Sequence, residues 1–548
     1  MKQKNQNMRI AGFTLAVILG MVGLGFIPSF KIFGMDFGRV DILASLRADS
    51  SAEEAIADYT ANFDLLAQEL AIAEAHINEA DTMADPIPVR YEWIVERAPK
   101  VRRERLHSED MLPALQYIEH FEDFDTLATT RFDNFIAKLA NGESVRIAFM
   151  GDSFVEGDIL TCDLRQELQS RFGGRGAGFI PADIPFSTVR KTIKRTSSNW
   201  NTYSVMKPKE APDAVRERLY ISGYLAEGRA GATTRWQTTD AYTLLDSCTQ
   251  ARILLISRDT SRVEVVLGDT LRNEFMIAGD ERVREIYVAG PVDDIRLRVL
   301  EGSVMCYGAS MEANGGVTVD NFSVRSNNGH AIFGTSATVN RQVDEMLGYD
   351  LVVLQYGLNI MQQGQRVYAK YRDQVRDMIA YAESCFPNAA IVVVGVSDRW
   401  VKNAETNAYE PIGSVDALTS YQRAAADSCN VAFWNTSRVM QHLGGMPAFV
   451  SNNWAAKDYT HINYAGGKRV ASAFADAICH RVLTYLFERE ERERIEAEQQ
   501  AALEAELQRQ RELELQESLR QQVDSVTPLI EAVGWSNDVN NTEENNEE

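Results

Sequence analysis

Val145-Arg-Ile-Ala-Phe-Met-Gly-Asp-Ser-Phe-Val-Glu-Gly157 is the stretch that decides the fold. Its first residues are mostly apolar, as in a buried strand, and a tight Gly-Asp-Ser turn follows. The residues from Asp158 onward have the pattern of a helix. A serine at such a turn stands at the carboxyl edge of a parallel sheet, with its hydroxyl exposed. Ser153 is therefore a candidate nucleophile, although an N-cap role for Asp152 and Ser153 accounts for the same residues.

A second polar segment, Asp458-Tyr-Thr-His461-Ile-Asn463, follows about 300 residues later and leads into another helix. Serine, histidine and aspartate are the components of an acyl-transfer site, because a serine hydroxyl is a weak nucleophile until a base takes its proton. We predict that Ser153 is the nucleophile, His461 the base and Asp458 the residue that orients the imidazole. The competing interpretation is a capping pair in a surface loop.

The two segments together resemble the SGNH (GDSL-type) hydrolase family. The family is recognised by conserved sequence blocks. In this chain, block I corresponds to Gly151-Asp152-Ser153 with Gly157, block III to Gly357-Leu358-Asn359, and block V to Asp458-x-x-His461. For block II the candidate is Gly329, in Ser326-Asn-Asn-Gly. One departure is Ile360, because the family often has aspartate after the block III asparagine. The resemblance covers about residues 118–190 and 317–487, roughly half of the chain.

The resemblance implies an α/β fold, a three-layer α/β/α sandwich around a parallel sheet, and a serine esterase chemistry that needs no cofactor and no metal. It implies an oxyanion hole made of the Ser153 N–H, the Gly329 N–H and the Asn359 side-chain amide. Trp454 lies four residues before Asp458, so we predict that it is a wall of the substrate pocket. The glycine-rich segment 173–178 lacks a following Lys-Ser/Thr, which favours a flexible active-site rim over a phosphate cradle.

Composition shifts along the chain predict its domain organisation. The predicted segments are a cytoplasmic stub (1–9), a transmembrane anchor (10–30), a helical spacer (41–117), the first part of the hydrolase domain (118–190), an inserted β-sandwich of jelly-roll type (191–316), the second part of the hydrolase domain (317–487), a charged helix (488–523) and a disordered acidic tail (524–548). We also expect helix to resume from Met111 to Asn141 and to run into the Ser153 strand.

The segment 191–316 is distinguished by short β-like runs separated by turn residues such as Gly268-Asp269 and Gly290-Pro291. Its aromatic residues fit two roles, as stacking surfaces for sugar rings or as core residues: Trp200, Tyr203, Tyr220, Tyr224 and Trp236.

Charge and cysteine content narrow the class of protein. The net charge of −22 argues against nucleic acid as a partner. Residues 487–548 hold 18 acidic and 6 basic residues, so they contribute −12 and the rest of the chain about −10. The six cysteines are scattered without zinc spacing. The sequence leaves two alternatives for the cysteines: all are buried free thiols, or Cys385 and Cys429 form a disulfide.

The N-terminal residues predict the cellular compartment. Lys2, Lys4 and Arg9 precede the uncharged, mostly apolar segment 10–30, which is long enough to cross a bilayer. The positive flank predicts a cytoplasmic N-terminus, and the segment has no clear cleavage site, which favours a retained anchor. We expect a single-pass protein of a bacterial inner membrane with a periplasmic body.

The sequence thus predicts an extracytoplasmic serine esterase that removes O-acetyl groups from a cell-envelope or other polysaccharide. An O-acetyltransferase, working with a membrane O-acyltransferase partner, uses the same acyl-serine intermediate and stays open. A non-catalytic envelope scaffold and a lipase or thioesterase are further alternatives.

Overall fold

A computed structural model describes residues 30–32, 35–37, 89–101, 105–111, 119–126, 130–185, 190–245 and 247–532. The chain divides into two compact units, Met1–Ala84 and Asp85–Glu548, and the features below belong to the second. The predicted anchor (10–30), except for residue 30, most of the predicted spacer (41–117), and residues 533–548 of the predicted tail lie outside the described part. Of the first unit, two short strands form an antiparallel pair: β1 (Phe30–Ile32) and β2 (Met35–Phe37).

The remaining strands are β3 (Arg90–Ile94), β4 (Val145–Gly151), β5 (Gly178–Pro181), β6 (Ile193–Ser204), β7 (Tyr224–Thr238), β8 (Gln250–Ser257), β9 (Ser261–Leu267), β10 (Leu271–Ile277), β11 (Arg284–Ala289), β12 (Asp294–Glu301), β13 (Ser303–Glu312), β14 (Val317–Ser323), β15 (Leu351–Gln355), β16 (Ala390–Val394), β17 (Trp400–Lys402), β18 (Tyr409–Pro411) and β19 (Ala432–Trp434). The α-helices are α1 (Arg131–Ala140), α2 (Thr161–Phe172), α3 (Asp213–Arg216), α4 (Ala337–Leu347), α5 (Ala369–Cys385), α6 (Val415–Ser428), α7 (Thr436–His442), α8 (Gly445–Ser451) and α9 (Tyr464–Ala532).

A five-stranded parallel sheet carries the segment that opens the sequence. Its strand order is β14-β4-β15-β16-β19, so β4 lies between β14 and β15. Every residue of β4, β15 and β16 is buried, as expected for parallel strands that are covered on both faces. The order brings the ends of β14, β4 and β15 together at one carboxyl edge, directly before the three predicted motif segments.

Helices that contact one another fall into two groups around this sheet. Helix α9 packs against α1 and α2, while α5 packs against α4 and α6. Helix α1 begins at a capping box, in which the Thr130 hydroxyl accepts from the Asp133 N–H at 2.8 Å and the Asp133 carboxylate accepts from the Thr130 N–H. The helix expected from Met111 to Asn141 is thus limited, among the described residues, to α1 and a short 3-10 turn at Ser108–Met111. The Thr130 cap explains where α1 begins.

Nine of the ten strands of a mixed sheet, β5 to β13, lie between β4 and β14 in sequence, and the tenth, β3, precedes β4. Its main path is β10-β9-β12-β7-β13-β8-β11-β3, with β5 paired to β13 and β6 to β7. Strand β3 pairs parallel to β11, so Arg90–Ile94 forms an edge strand within the segment expected to be a helical spacer. Its alternating exposed and half-buried residues have the period of a strand and not of a helix.

Buried charges join the two sheets. Arg146, in β4, is 4% exposed and donates to Asp320, in β14, at 2.7 Å. The same guanidinium is bonded to Glu312, at the end of β13 in the mixed sheet. Arg146 therefore connects β4 to the mixed sheet through Glu312, and a buried arginine needs such carboxylate partners.

The glycine-rich segment 173–178 lies at the end of the parallel sheet opposite to Ser153, which corrects the prediction of an active-site rim. The Gly174 backbone packs on Val317, the first residue of β14, so closely that a Cβ at Gly174 would lie 2.6 Å from the Val317 nitrogen. A Cβ at Gly176 would lie 2.3 Å from the Met311 oxygen. These glycines therefore permit a close backbone crossing, and a local pattern cannot show which end of the sheet it occupies.

Helix α9 includes both the expected closing helix and the expected charged helix without a break. Within Tyr464–Ser525 it contains an 18-residue stretch apolar enough to cross a membrane, half of which is buried in the protein. Val470, Phe474 and Ile478 are part of that stretch's buried face and pack in the core, which accounts for its apolar character. The helix also extends over residues 524–532, the beginning of the tail expected to be disordered.

All six cysteines are free thiols, and five of them are buried. The alternative of a Cys385–Cys429 disulfide is therefore not realised in this structure.

Candidate active site

Ser153 lies in the turn that follows β4, at the carboxyl edge of the parallel sheet. The turn is tight: the Asp152 carboxylate accepts from the Phe154 N–H at 2.9 Å, and the Asp152 carbonyl accepts from the Val155 and Glu156 N–H groups. A Cβ at Gly151 would lie 2.7 Å from a Val155 methyl, so a side chain there would force the turn open. The glycine before Asp152 thus lets the chain reverse and present the Ser153 hydroxyl.

The loop between α8 and α9 brings the other two predicted residues to Ser153. The His461 Nε2 lies 3.2 Å from the Ser153 Oγ, and the His461 Nδ1 lies 2.7 Å from the Asp458 Oδ2. The Asp458 and His461 side chains are each nearly half exposed, at 48% and 46%. These distances form one hydrogen-bonded chain from carboxylate to imidazole to hydroxyl, open to solvent and to a substrate.

Hydrogen bonds fix the Asp458 carboxylate in a position from which it can orient the His461 imidazole. Its other oxygen, Oδ1, accepts from the backbone N–H groups of Thr460 at 3.0 Å and His461 at 3.1 Å. Burial raises the pKa of Asp458, but the hydrogen bonds from the His461 side chain and from these N–H groups outweigh it and hold the pKa below its usual value. Asp458 is therefore ionised at neutral pH and can stabilise an imidazolium.

The β17–β18 hairpin supports the loop that carries Asp458 and His461. Tyr459 has a positive φ of 56° and stacks on Tyr409 of β18, with ring centroids 3.9 Å apart. The Trp400 N–H of β17 donates to the Tyr459 carbonyl at 3.1 Å. A non-glycine residue in this conformation is strained, so these contacts hold the loop where its histidine reaches Ser153.

Asn359 follows β15, on one side of the Ser153 turn, as the motif predicts. Its side-chain nitrogen donates to the Asn327 carbonyl at 2.9 Å and to the Asp152 Oδ2 at 3.3 Å. An oxyanion beside this amide would compete with the longer of these bonds. The amide is thus held next to the Ser153 turn by the two flanking loops.

Gly329 follows β14, on the other side of the turn, but its N–H is engaged. It donates to the Asn327 Oδ1 at 2.9 Å, and the glycine has a φ of 95°. Asn327 is 4% exposed, so it connects both predicted oxyanion donors within one buried turn. The role of Gly329 as a donor therefore requires the Asn327 side chain to release it.

Asn327 and Asp152 are residues whose part in this site the motif comparison missed. The sequence feature that could have identified Asn327 is its position two residues before a glycine. This spacing favours an Asx turn, in which the asparagine side chain accepts from the backbone N–H two residues later. Asp152 is fully buried, and desolvation raises its pKa to about 7, even though the Phe154 N–H, the His461 charge and the Leu358 N–H act to lower it. No sequence pattern shows that burial.

The loop from residue 152 to residue 158 carries Ser153 and is named the nucleophile loop. Asp158 anchors its far end. It is fully buried with a φ of 71°. It accepts from Arg165 at 3.1 and 3.2 Å, from Arg190 at 3.0 Å and from the hydroxyls of Thr161 and Thr192. Burial acts to raise the pKa of Asp158, but the two arginines lower it well below the usual range. The loop is therefore attached at one end to β4 and at the other to this ionic cluster.

Trp454, predicted as a pocket wall, lies in the loop that precedes Asp458. Its ring packs edge-on against Phe449 at 5.4 Å, and the Arg469 guanidinium lies 4.7 Å from its centroid. Of the aromatic residues in the inserted segment, Tyr220 and Trp236 are fully buried and Tyr224 is 4% exposed, as core residues are. Trp200 is partly buried against the core of the mixed sheet.

The fold of this chain is similar to that of a solved structure. The structure titled "Peptidoglycan O-acetylesterase in action, 5 min" is matched over 99% of its chain and 66% of this one, with a TM-score of 0.54 and 20% identity. That likeness shows a common fold.

Two further matches have TM-scores too low to compare folds. A family two carbohydrate esterase from Cellvibrio japonicus matches with a TM-score of 0.23 and 9% identity, over 54% of this chain and 99% of its own. A putative GDSL-like lipase from Parabacteroides merdae matches with a TM-score of 0.23 and 15% identity, over 30% of this chain and 73% of its own. No protein-family model matches the sequence, and no curated protein is similar to it.

Proposed function

We propose that this protein is a serine esterase of the SGNH hydrolase type, which removes O-acetyl groups from a polysaccharide through an acyl-serine intermediate. The observation that carries the proposal is the hydrogen-bonded chain from Asp458 through His461 to Ser153, at the carboxyl edge of a parallel sheet. The same fold occurs in a peptidoglycan O-acetylesterase, which supports an ester substrate.

The first half of the reaction forms the acyl-enzyme. The Ser153 Oγ attacks the ester carbonyl carbon while its proton passes to the His461 Nε2. The carbonyl oxygen becomes an oxyanion, to which the Ser153 N–H and the Asn359 amide donate hydrogen bonds in this proposal. The C–O bond to the sugar then breaks, and His461 returns the proton to the departing sugar oxygen.

The second half transfers the acetyl group to water. His461 takes a proton from a water molecule, the hydroxide attacks the acyl carbon, and acetate leaves as Ser153 recovers its proton. A sugar hydroxyl in place of water would make the reaction a transfer, so an O-acetyltransferase fed by a membrane O-acyltransferase uses the same residues. The exposure of His461 favours water, which reaches a half-open imidazole directly.

The proposal includes the arrangement and location of the domains. The two helix groups support three layers, and the ten-stranded sheet with its buried core supports an inserted β-domain at 191–316.

Lys2, Lys4 and Arg9 before the apolar segment 10–30 support an inner-membrane anchor and a periplasmic body. A polysaccharide of the cell envelope would be accessible there.

The test measures hydrolysis of 4-nitrophenyl acetate by the full-length protein and by Ser153→Ala. We expect the substitution to lower kcat by about 10⁴-fold or more, because the nucleophile is lost. Quenched wild-type samples should carry an acetyl group on the peptide that contains Ser153. Ser170→Ala is the matched control, because Ser170 is exposed on α2, away from the turn.

Two outcomes would contradict the proposal. Turnover by Ser153→Ala equal to that of the wild type would exclude this serine as the nucleophile. Absence of both turnover and an acetyl adduct in a folded protein would favour a scaffold role.

A further inference from the structure

A cavity of about 160 Å³ lies between the nucleophile loop and the mixed sheet. It is lined on the loop side by Glu156 and Gly157 and at the end of β14 by Ser323. Ser323 pairs with Gly151, two residues before Ser153, so the cavity opens at the same edge of the sheet as the triad. Its volume is below the roughly 300–1,000 Å³ of pockets that enclose a whole drug-sized ligand, so it fits one unit of a larger substrate.

Arg195 is the feature of this cavity that the catalytic site does not use. It projects from β6 and is half-buried, and its Nε is buried with no hydrogen-bond partner. Among the residues that the structure describes, none forms a hydrogen bond or an ion pair within 4.0 Å with its guanidinium. A charged guanidinium without a paired anion is able to bind an anionic group of a ligand that enters the cavity.

The carboxylates around Arg195 are already bound elsewhere. Glu156 is paired with Arg325, with contacts of 3.0 and 2.9 Å. Asp158 is paired with Arg165 and with the second arginine of the cavity, Arg190.

Asp183 acts on Arg195 only at a distance. Its carboxylate accepts from the hydroxyls of Ser197, at 2.5 Å, and Thr202. Burial, together with the positive charge of Arg190, holds the pKa of Arg195 below its ordinary value, and the attraction of Asp183 does not offset them. Among the described residues, therefore, no carboxylate is paired directly with the Arg195 guanidinium, and Asp183 offsets its charge only from a distance.

The other walls suit a sugar ring. Ile180, Pro181 and Ile193 supply an apolar surface for ring C–H groups. Ser222 and Asn321 also line the cavity, and their side chains are hydrogen-bonded within the protein. Apolar walls with a few polar groups are the usual composition of a small-molecule site. A lone inorganic anion would leave the apolar walls unused.

We infer that this cavity is a subsite for a carboxylate-bearing sugar unit of the polysaccharide, with Arg195 as the group that binds the carboxylate. The inference deepens the proposed function and rests on it for the identity of the whole substrate. It adds a charge preference to the specificity: an acetyl ester on an acidic glycan should be a better substrate than the same ester on a neutral glycan.

Direct binding tests the subsite without reference to catalysis. Calorimetric titration of the full-length protein with glucuronate, glucose and acetate should show binding of glucuronate alone. Arg195→Gln should weaken glucuronate binding about tenfold or more, because a charged hydrogen-bond donor is lost. Arg195→Lys keeps the charge and should retain part of the affinity.

Lys194→Gln is the matched control, because Lys194 is exposed next to Arg195 on β6 and its loss changes the net charge equally. It should leave glucuronate binding unchanged. Equal weakening by both substitutions, equal binding of glucose, or binding of acetate as tight as that of glucuronate would each overturn the inference. Melting curves would show that the variants are folded.

Kinetics separate this inference from the proposed function. The ratio of kcat/KM for O-acetylated glucuronic acid to that for O-acetylated glucose should fall about tenfold in Arg195→Gln. Hydrolysis of 4-nitrophenyl acetate, which has no carboxylate, should not change. If the wild type lacks aryl-acetate turnover, the proposed function fails while glucuronate binding still decides the subsite. An unchanged ratio in an active enzyme would overturn the subsite alone.

Discussion

Asn359 shows, at the residue scale, how a side chain that we propose as an oxyanion donor is held in position. Its amide is held between the Asn327 carbonyl and the Asp152 carboxylate, beside the nucleophile turn. A donor fixed in this way loses little entropy when an oxyanion forms, which is why oxyanion-hole residues act mainly on kcat.

The first prediction concerns this amide. Asn359→Ala should lower kcat for aryl acetate by about 10²–10³-fold and leave KM nearly unchanged, because the lost bond forms only in the transition state. Steady-state kinetics measure both constants. Gln362→Ala, an exposed amide in the same loop, is the control and should behave like the wild type. A change confined to KM would assign Asn359 to substrate binding.

The second prediction concerns Asp152, whose buried carboxyl has its pKa raised to about 7. The folded protein holds this proton more tightly than the unfolded chain, whose aspartates titrate near pH ~4. The stability linked to Asp152 is therefore fully present below about pH 4 and is lost as the pH rises through about 7.

Urea unfolding from pH 4 to pH 8 measures this effect as a difference between variants. Across that range, the free energy of unfolding of the wild type should fall, relative to Asp152→Asn, by up to about 4 kcal/mol. Asp269→Asn, at an aspartate whose side chain is 81% exposed, should run parallel to the wild type. Parallel curves for Asp152→Asn would show that Asp152 is ionised in the folded protein.

The nucleophile loop is the unit that matters at the scale of elements. It begins at a glycine that permits the turn and ends at Asp158, which binds two arginines from α2 and from the segment before β6. Because Arg190 also donates to the Phe179 carbonyl of β5, the position of Ser153 depends on the mixed sheet as well as on its own strand.

The third prediction follows from the burial of this cluster. Asp158→Asn should lower the free energy of unfolding by about 3–5 kcal/mol, because two buried arginines would lose their carboxylate. Denaturant unfolding at pH 7 measures the loss. Asp213→Asn, whose side chain is 82% exposed, should change stability by less than about 0.5 kcal/mol. A loss for Asp158→Asn no larger than this control would show that the cluster is not stabilising.

Helix α9 connects the parallel-sheet region to the acidic C-terminal part at the scale of the whole molecule. Its contacts with the rest of the fold reach Glu490, which accepts from Ser108, and Glu493, which is bonded to Arg105. Every residue from Arg494 to Ser525 is exposed, a length of about 48 Å at 1.5 Å per residue. The distal part therefore adds charge and contributes no packing.

The fourth prediction separates the two parts of this helix. Truncation after Glu498 should leave the melting temperature and kcat unchanged, because every removed residue up to Ser525 is exposed. Truncation after Phe487 should cost about 2–4 kcal/mol, because it removes the Glu490–Ser108 bonds and the buried Arg489, which donates to Leu106. Thermal melting of both proteins tests this. A large effect of the shorter deletion would assign a packing role to the exposed part.

Local patterns were sufficient to predict the parallel α/β character, because strand periodicity is a property of short segments. Motif spacing selected Ser153, Asp458, His461 and Asn359, which the fold brings together at one edge of the sheet, and their catalytic roles stay predictions. The prediction of a continuous helix from Met111 to Asn141 and the prediction of an active-site rim at 173–178 were wrong. The contacts of a segment, and the end of the sheet at which a loop lies, both depend on strands that are distant in sequence.

Tertiary structure decided the features that arise from contact between remote residues. Burial raises the pKa of Asp152, the strand order places the Gly329 and Asn359 loops on either side of Ser153, and Asn327 engages the Gly329 N–H. The cavity at Arg195 exists only where β6 meets the nucleophile loop. Desolvation, strand order and cavity shape are sums over the whole fold, so no short stretch of sequence specifies them.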